Sequence, residues 1–167
     1  VLRRGNKDDL EDLTELLKAT ADRKNFQSRD LKYYQKMYEC YGDNMQIYFA
    51  HVDSKLYLDY AKKQLDSQKA KKEDILYKMK KDMVGSKLKS QLANAETAIE
   101  KADNELKYAE NFYKENPNGK DIGGLLSLKS GNEYVTLSSG ILAKYKSFKP
   151  KYLMYNEHIL DAYRFGF

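Results

Sequence analysis

Residues 86–115 read SKLKSQLANAETAIEKADNELKYAENFYKE and hold the most regular apolar repeat of the chain. Steps of four and three between apolar residues place their side chains on one face of an α-helix. The repeat consists of Leu88, Leu92, Ala95, Ile99, Ala102, Leu106, Ala109 and Tyr113. We therefore predict a helix from about 87 to 114. Alanine alternates with larger side chains in this repeat, which lets a neighbouring helix come close.

A second apolar series precedes this helix. It starts with a heptad pattern that comprises Leu31, Tyr34, Tyr38, Tyr41, Met45, Tyr48 and Val52, fades from 66 to 74, and returns as Ile75, Leu76, Met79 and Met83. This spacing predicts a helix from 29 to 83. A break near Gly42 is the alternative. Gly85 and Ser86 have the residue types that end one helix and begin the next, so the chain is predicted to reverse there.

The two ends of the chain differ in their content of helix breakers. A capping Asn6 and an apolar stripe predict a helix from 7 to 23. Most of the nine glycines and both prolines lie after residue 115, which predicts an irregular tail from 116 to 167. A terminal helix from about 150 to 164 begins with Pro150. Its predicted buried residues are Leu153, Ile159, Leu160, Ala162 and Tyr163.

Residues 126–137 allow two interpretations. Gly131 and Asn132 can form the two-residue loop of a β-hairpin, with Leu128 opposite Val135 and Leu126 opposite Leu137. The alternative is a helix from about 132 to 145. With either, the sequence predicts a mainly α fold, an elongated antiparallel helical hairpin or coiled-coil bundle. Its helical body spans 1–115, and a Gly-containing C-terminal tail spans 116–167.

The residue types that carry common chemistry are sparse. His51 and His158 are the two histidines, and neither belongs to the Glu-x-x-His pair of a di-iron bundle. The chain has neither a phosphate-binding glycine loop nor a Gly-x-Ser-x-Gly elbow. We therefore expect no catalytic residue, metal ligand or cofactor, and a protein that is not an enzyme. His51 is predicted to be partly buried and structural, and His158 to lie on an exposed helix face.

Composition gives weaker expectations about location. The single Cys40 excludes an internal disulfide and fits a reducing compartment. The longest uncharged run, from 134 to 143, is too short to span a bilayer as a helix, which predicts a soluble protein. Because the sequence opens with Val1, removal of a presequence on import into an organelle such as the mitochondrion is a further hypothesis, and a trimmed chain is its alternative.

Two surfaces are candidates for contact with other proteins. The chain has 15 tyrosines and no tryptophan, and a tyrosine ring with a polar hydroxyl suits protein interfaces. Three tyrosines that lie off the apolar seam are predicted to contact another protein subunit: Tyr33, Tyr57 and Tyr77. Another helix, from this chain or from a partner, is predicted to cover the alanine-lined face formed by Ala95, Ile99, Ala102 and Ala109.

A third surface is basic. The formal net charge of +5 is concentrated between Lys62 and Lys89, where lysines outnumber acidic residues. Five lysines flank the predicted turn at Gly85: Lys78, Lys80, Lys81, Lys87 and Lys89. Lysines at a helical tip can bind nucleic-acid phosphates or anionic lipid head groups. A solvated tip without a partner is the alternative.

Taken together, these features predict a non-catalytic structural or assembly subunit of a larger complex. It would act through helical packing and through docking of the tail, whose composition is poorly suited to a core of its own. The alternative is a helical module that binds nucleic acid or another polyanion through residues 62–89.

Overall fold

The computed structural model describes residues 1–81 and 85–167, which form two compact units. The first unit comprises Val1–Val52 and Asp121–Phe167, and the second comprises Asp53–Lys120. The second unit is thus inserted in the sequence between two halves of the first.

A four-stranded antiparallel sheet forms the centre of the first unit. Its strands are β1 Leu2–Gly5, β2 Met45–Val52, β3 Lys120–Ser130 and β4 Glu133–Ile141, in the order β1-β2-β3-β4. The prediction of a mainly α, elongated helical bundle is therefore wrong. β2 lies in a segment predicted to be helical, β1 lies in a segment without a predicted element, and β3 and β4 lie in the tail, where a β-hairpin was one of the two interpretations of 126–137.

The described residues also form five α-helices, three in the first unit and two in the second. They are α1 Leu10–Lys24, α2 Leu31–Tyr41, α3 Ser54–Lys81, α4 Ser86–Glu115 and α5 Pro150–Arg164. Short 3-10 turns cover Lys7–Asp9, Gly42–Asn44 and Ala143–Phe148. Asn6 caps the first of these turns through a capping box with Asp9. Asp30 caps α2 by accepting a hydrogen bond of 2.9 Å from the Tyr33 backbone nitrogen.

The predicted helix from 29 to 83 is interrupted by β2. Gly42 ends α2 with a φ of +48°, which a side chain would make unfavourable. Beyond it, β2 is buried on both faces, so its apolar residues are nearly continuous. A run of this kind contains three- and four-residue steps by chance, and periodicity alone cannot separate it from a helix.

The alternation of side chains along β2 defines the main core. Met45, Ile47 and Phe49 point to one face of the sheet, where they join buried leucines of α1 and Tyr34 of α2 in a single cluster. Burial of each large apolar side chain contributes about 1.5–3 kcal/mol. This cluster is the main apolar support for the α1 and α2 layer.

β3 and β4 form a hairpin around Gly131, whose φ is +56°. Leu128 lies opposite Val135, as in the hairpin interpretation, but Leu126 lies opposite Ser138 and not Leu137. A register shift between Leu126 and Ser127 causes this difference. The alternative helix from 132 to 145 is wrong.

α5 covers the opposite face of the sheet, and it does so with unexpected side chains. Met154 and Asp161 are buried, with exposed fractions of 0% and 2%. Ile159 and Tyr163, two of the residues predicted to be buried, are 65% and 84% exposed. The prediction failed because the sheet face under α5 is lined with polar groups that need polar partners.

The second unit is an antiparallel hairpin of α3 and α4. Ala95, Ala102 and Ala109 of α4 are buried in it, as is Ala61 of α3. Lys72 of α3 pairs with Glu96 of α4 at 2.8 Å. The first helix of this hairpin, α3, begins at Ser54 and not at residue 29, where the sequence predicted its start. Its predicted end at Met83 lies outside the described residues.

We expect Gly140→Ala to destabilise the first unit, because a Cβ at this position would lie 2.2 Å from the Leu16 carbonyl oxygen. α1 and β4 would have to separate, at a cost of about 1–3 kcal/mol. Urea denaturation followed by circular dichroism measures this loss. Gly85→Ser is the matched control, since no atom lies within 4 Å of its added Cβ. Equal stability of the two variants would contradict the close packing of α1 on β4.

Candidate functional site

A buried carboxylate joins the two ends of the first unit. Asp161 of α5 accepts hydrogen bonds from Arg4 of β1, at 2.8 Å for the Nη2 to Oδ1 pair, and from the Tyr48 hydroxyl of β2, at 2.6 Å. Arg164 adds a third bond at 2.9 Å. We call these four residues, with Glu157, the α5 network; Glu157 lies 2.8 Å from Arg4 and 2.7 Å from Arg164.

The α5 network keeps its central charge despite burial. Burial by itself would raise the pKa of the Asp161 carboxyl, but the hydrogen bonds from Arg4, Tyr48 and Arg164 outweigh it and lower the pKa to about 2. In return, the hydrogen bond to Asp161 raises the pKa of Arg4. Burial and the bond to Asp161 raise the pKa of the Tyr48 hydroxyl. At neutral pH the network therefore holds ionised arginines, an ionised Asp161 and a neutral Tyr48.

Three more residues lie between α5 and the sheet, next to the α5 network: His158, Ser127 and Tyr134. His158 Nδ1 lies 3.0 Å from the buried Ser127 hydroxyl, and its ring stacks on Tyr134 with 4.5 Å between centroids. The Tyr134 hydroxyl is hydrogen bonded to that of Tyr48, which links this group to the α5 network. The prediction that His158 lies on an exposed helix face is wrong, because the imidazole packs against the sheet and is partly buried.

Burial lowers the pKa of His158. The imidazole is therefore neutral at pH 7, and a neutral imidazole can accept a proton. Ser127 occupies one ring nitrogen. Of the polar groups in this layer, His158 combines partial exposure with a protonation state suited to general-base chemistry.

A second polar cluster lies on the other face of the sheet. Arg3 pairs with Asp9 at 2.6 Å and also with Asp121, and His51 Nδ1 lies 2.9 Å from Asp121 Oδ1. The Arg3 guanidinium lies 4.3 Å from the centroid of the Phe49 ring. These contacts hold the N-terminal turn against β2 and β3. Within residues 1–81 and 85–167, no group of three or more His, Cys, Asp and Glu side chains is arranged to hold a metal ion.

The outer face of α5 presents large side chains to solvent. Tyr152, Ile159 and Tyr163 are 77%, 65% and 84% exposed. A shallow groove of about 820 Å³ runs along this face, lined by Lys151, Tyr152, Leu153, Tyr155, Asn156 and Ile159. We call this surface the α5 outer face. No helix in the described parts of the chain is both long and apolar enough to cross a bilayer.

The three tyrosines predicted to bind a partner lie on two helices, α2 and α3. Tyr33 of α2 is 43% exposed and packs edge-on against Tyr34. Tyr57 of α3 donates a hydrogen bond to Glu105 of α4. Tyr77 of α3 is 57% exposed, with the Lys81 ammonium 4.6 Å from its ring centroid. Contact of these tyrosines with another protein stays a prediction.

The predicted alanine-lined face of α4 packs mainly within the helical hairpin of this chain. Ala95, Ala102 and Ala109 are buried within the helical hairpin, while Ile99 is partly exposed. The five lysines predicted to form a basic tip are all exposed, Lys78, Lys80 and Lys81 near the end of α3 and Lys87 and Lys89 at the start of α4. None of these predicted residues belongs to the α5 network, and anion binding by the lysines stays a prediction.

Sequence reasoning missed every member of the α5 network. Two weak signals were present. Arg3 and Arg4 are consecutive basic residues in a segment that forms a strand, and Asp161 lies between Leu160 and Ala162 in a short stretch that is otherwise apolar or aromatic, from 159 to 163. Neither signal predicts which residue is the partner, because Arg4 and Asp161 are 157 residues apart in the sequence.

We expect Asp161→Asn to lower the free energy of unfolding by about 2 kcal/mol, because the buried side chain loses its charge and one of the two oxygens that accept from Arg4, Arg164 and the buried Tyr48 hydroxyl. Urea denaturation at pH 7 measures the loss. Asp22→Asn is the control, since Asp22 is an exposed carboxylate on α1. A loss below about 0.5 kcal/mol would be the size expected of an ordinary surface change and would contradict the role assigned to Asp161.

The same carboxylate predicts a pH dependence. The pKa of Asp161 is lowered from 3.8 to about 2 in the folded protein, so its stabilising effect is complete above pH 3.8 and is lost as the pH falls toward 2. The wild type should lose about 2 kcal/mol more than Asp161→Asn over this interval. Urea denaturation at each pH measures the free energy of unfolding of both proteins. An equal decrease in the two proteins would contradict this assignment.

Curated relatives match nearly all of the chain. A protein of Staphylococcus haemolyticus named lipid II:glycine glycyltransferase is 25% identical over 177 residues, which cover 99% of this chain and 41% of the relative. A protein of the same name from Staphylococcus epidermidis is 27% identical over 175 residues, with the same coverage. The chain therefore spans about two fifths of the length of these relatives.

A solved structure has the same fold. The crystal structure of FemX superposes with a TM-score of 0.81 at 21% sequence identity, over 99% of this chain and 42% of that one. At this level of identity the likeness establishes the fold alone. This fold contains the four-stranded sheet that was absent from the prediction made from the sequence.

These relatives overturn two functional predictions. The homologues are transferases, so the expectation of a protein that is not an enzyme is wrong. The expectation of a non-catalytic structural subunit, and its alternative of a polyanion-binding helical module, are wrong for the same reason. The FemAB family model matches residues 1–167, and this chain accordingly belongs to the FemAB family.

Proposed function

We propose that this chain is part of an enzyme that transfers a glycyl or similar aminoacyl group to a lipid II-type peptidoglycan precursor. One observation carries the proposal: the likeness to lipid II:glycine glycyltransferases extends over 99% of the chain, and therefore over both units. Membership of the FemAB family over residues 1–167 supports it.

Such a transfer does not need a nucleophilic side chain of the protein, because the acceptor amine is the nucleophile. The acceptor amine attacks the carbonyl carbon of an activated acyl group, a new amide bond forms, and the bond to the leaving group breaks. The attacking amine must be neutral first and must then lose a proton. Positioning of the two substrates and one proton acceptor are sufficient, so this reaction does not need a serine or cysteine motif.

His158 is the proposed proton acceptor in this chain. Its pKa is lowered by burial, which favours the neutral imidazole. It is partly exposed, and the α5 network and Ser127 fix the position of the ring. A proton taken by the imidazole would pass to solvent at the edge of the sheet.

A transfer assay tests the proposed function. The protein is incubated with lipid II in detergent micelles, labelled glycine, ATP and a cell extract that supplies activated glycine, and label extracted with lipid II is counted. We expect label in lipid II that depends on the added protein. No protein-dependent label, together with unchanged bridge composition in muropeptides from cells that lack the gene, would overturn the proposal.

His158→Gln tests the proton acceptor in the same assay. We expect kcat to fall by about a hundredfold or more with little change in KM. In the wild type, the rate should fall on the acid side with a midpoint below pH 6.5, because the pKa of His158 is lowered from that value. His51→Gln is the matched control, since His51 is also partly buried and hydrogen bonded but lies on the other face. Similar rates in both variants would contradict the assignment.

A further inference from the structure

The two faces of α5 have opposite roles. Its inner side is held to the sheet by the Asp161 contacts and by Met154, which is 0% exposed. The helix therefore cannot roll to bury its other side. The α5 outer face carries six apolar or aromatic side chains that are each more than a third exposed: Tyr152, Leu153, Tyr155, Ile159, Leu160 and Tyr163.

Lysines surround the start of this face. The segment from Ala143 to Asn156 contains Lys144, Lys146, Lys149 and Lys151 and has no Asp or Glu. Lys146, Lys149 and Lys151 line a second cavity of about 470 Å³ together with Ile141, Ser147, Pro150 and Tyr152. This cavity shares Lys151 and Tyr152 with the groove of the α5 outer face, so the basic and the aromatic surfaces are continuous.

This combination of side chains has a known physical preference. Tyrosine places an apolar ring and a polar hydroxyl at the boundary between hydrocarbon and water. Lysines beside it bind the anionic head groups of the same surface. A helix that presents both lies in the plane of a membrane surface, with its apolar side in the head-group region.

We propose that the α5 outer face and Lys146, Lys149 and Lys151 bind the surface of an anionic membrane. The inference rests on the proposed function, since an enzyme that acts on a lipid-linked precursor meets its substrate at a membrane. The charge of the lysine segment and the aromatic character of the helix fit this occupant better than they fit a second protein, because interface cores between proteins are depleted of lysine.

Vesicle flotation tests the proposal. The protein is mixed with vesicles of phosphatidylcholine alone or of phosphatidylcholine with phosphatidylglycerol, without lipid II. We expect binding to the anionic vesicles that weakens with added salt. Replacement of Lys146, Lys149 and Lys151 by Ser should weaken it about fivefold per lysine. Tyr152→Ser, Ile159→Ser and Tyr163→Ser together should reduce it further.

A matched triple variant controls for loss of charge. Lys18, Lys24 and Lys32 are exposed lysines of α1 and α2, on the other side of the sheet. Their replacement by Ser removes the same charge and should leave binding nearly unchanged. Equal losses in the two triple variants would overturn the proposal, since binding would then depend on net charge and not on the α5 outer face.

A spectroscopic reporter does not depend on weakened variants. The sequence has no tryptophan, so Tyr163→Trp adds a single fluorophore to the α5 outer face, and Tyr33→Trp adds one to α2. Anionic vesicles should shift the emission of the first variant to shorter wavelength and leave the second unchanged. No shift at position 163, or a dimer in light scattering that Ile159→Ser dissociates, would overturn the proposal in favour of a protein partner or none.

Failure of this inference and failure of the proposed function can be told apart. Vesicle binding is measured without lipid II, and glycyl transfer is measured in detergent micelles without vesicles. Transfer without vesicle binding contradicts only the membrane proposal. Vesicle binding through the α5 outer face without transfer contradicts only the proposed activity.

Discussion

The ion pair between Arg4 and Asp161 is the contact on which the layered unit depends. A carboxylate that is 2% exposed is unfavourable unless charged and hydrogen-bonded partners surround it. Arg4 comes from an edge strand at the start of the chain and Asp161 from the last helix. Because Tyr48 of the neighbouring strand also donates to Asp161, three elements must be in place before the charge is satisfied. This requirement ties the position of α5 to that of the sheet.

The two arginines show how a short strand can organise both faces of a sheet. In the antiparallel register Arg3 lies opposite Phe49 and Arg4 opposite Tyr48. Successive side chains alternate between faces, so Arg3 meets Asp9 and Asp121 on the α1 side and Arg4 meets Asp161 on the α5 side. The same two-residue segment thus anchors both helical layers. A change of register by one residue would exchange the faces and leave both charges without partners.

The expectation that the protein is not an enzyme rested on missing motifs, and it is wrong. The sequence has no nucleotide loop and no hydrolase elbow. Acyl transfer to an amine needs neither, because the acceptor supplies the nucleophile and the protein contributes position and a proton acceptor. The proton acceptor that we propose, His158, acquires its properties only on folding, when burial lowers its pKa and Ser127 and Tyr134 contact its ring.

Local patterns in the sequence predicted the repeat that forms α4, and they offered the helix break near Gly42 and the loop of the β3–β4 hairpin as alternatives. Each depends on the conformational preference of a few neighbouring residues. Tertiary structure alone decided that 45–52 is a strand, that Ile159 and Tyr163 face solvent, and that Asp161 is buried. β1 pairs with a strand more than 40 residues away, and Asp161 finds Arg4 across 157 residues. The physical reason is that periodicity describes which side chains share a face, whereas strand partners and buried ion pairs are selected by contacts between distant segments.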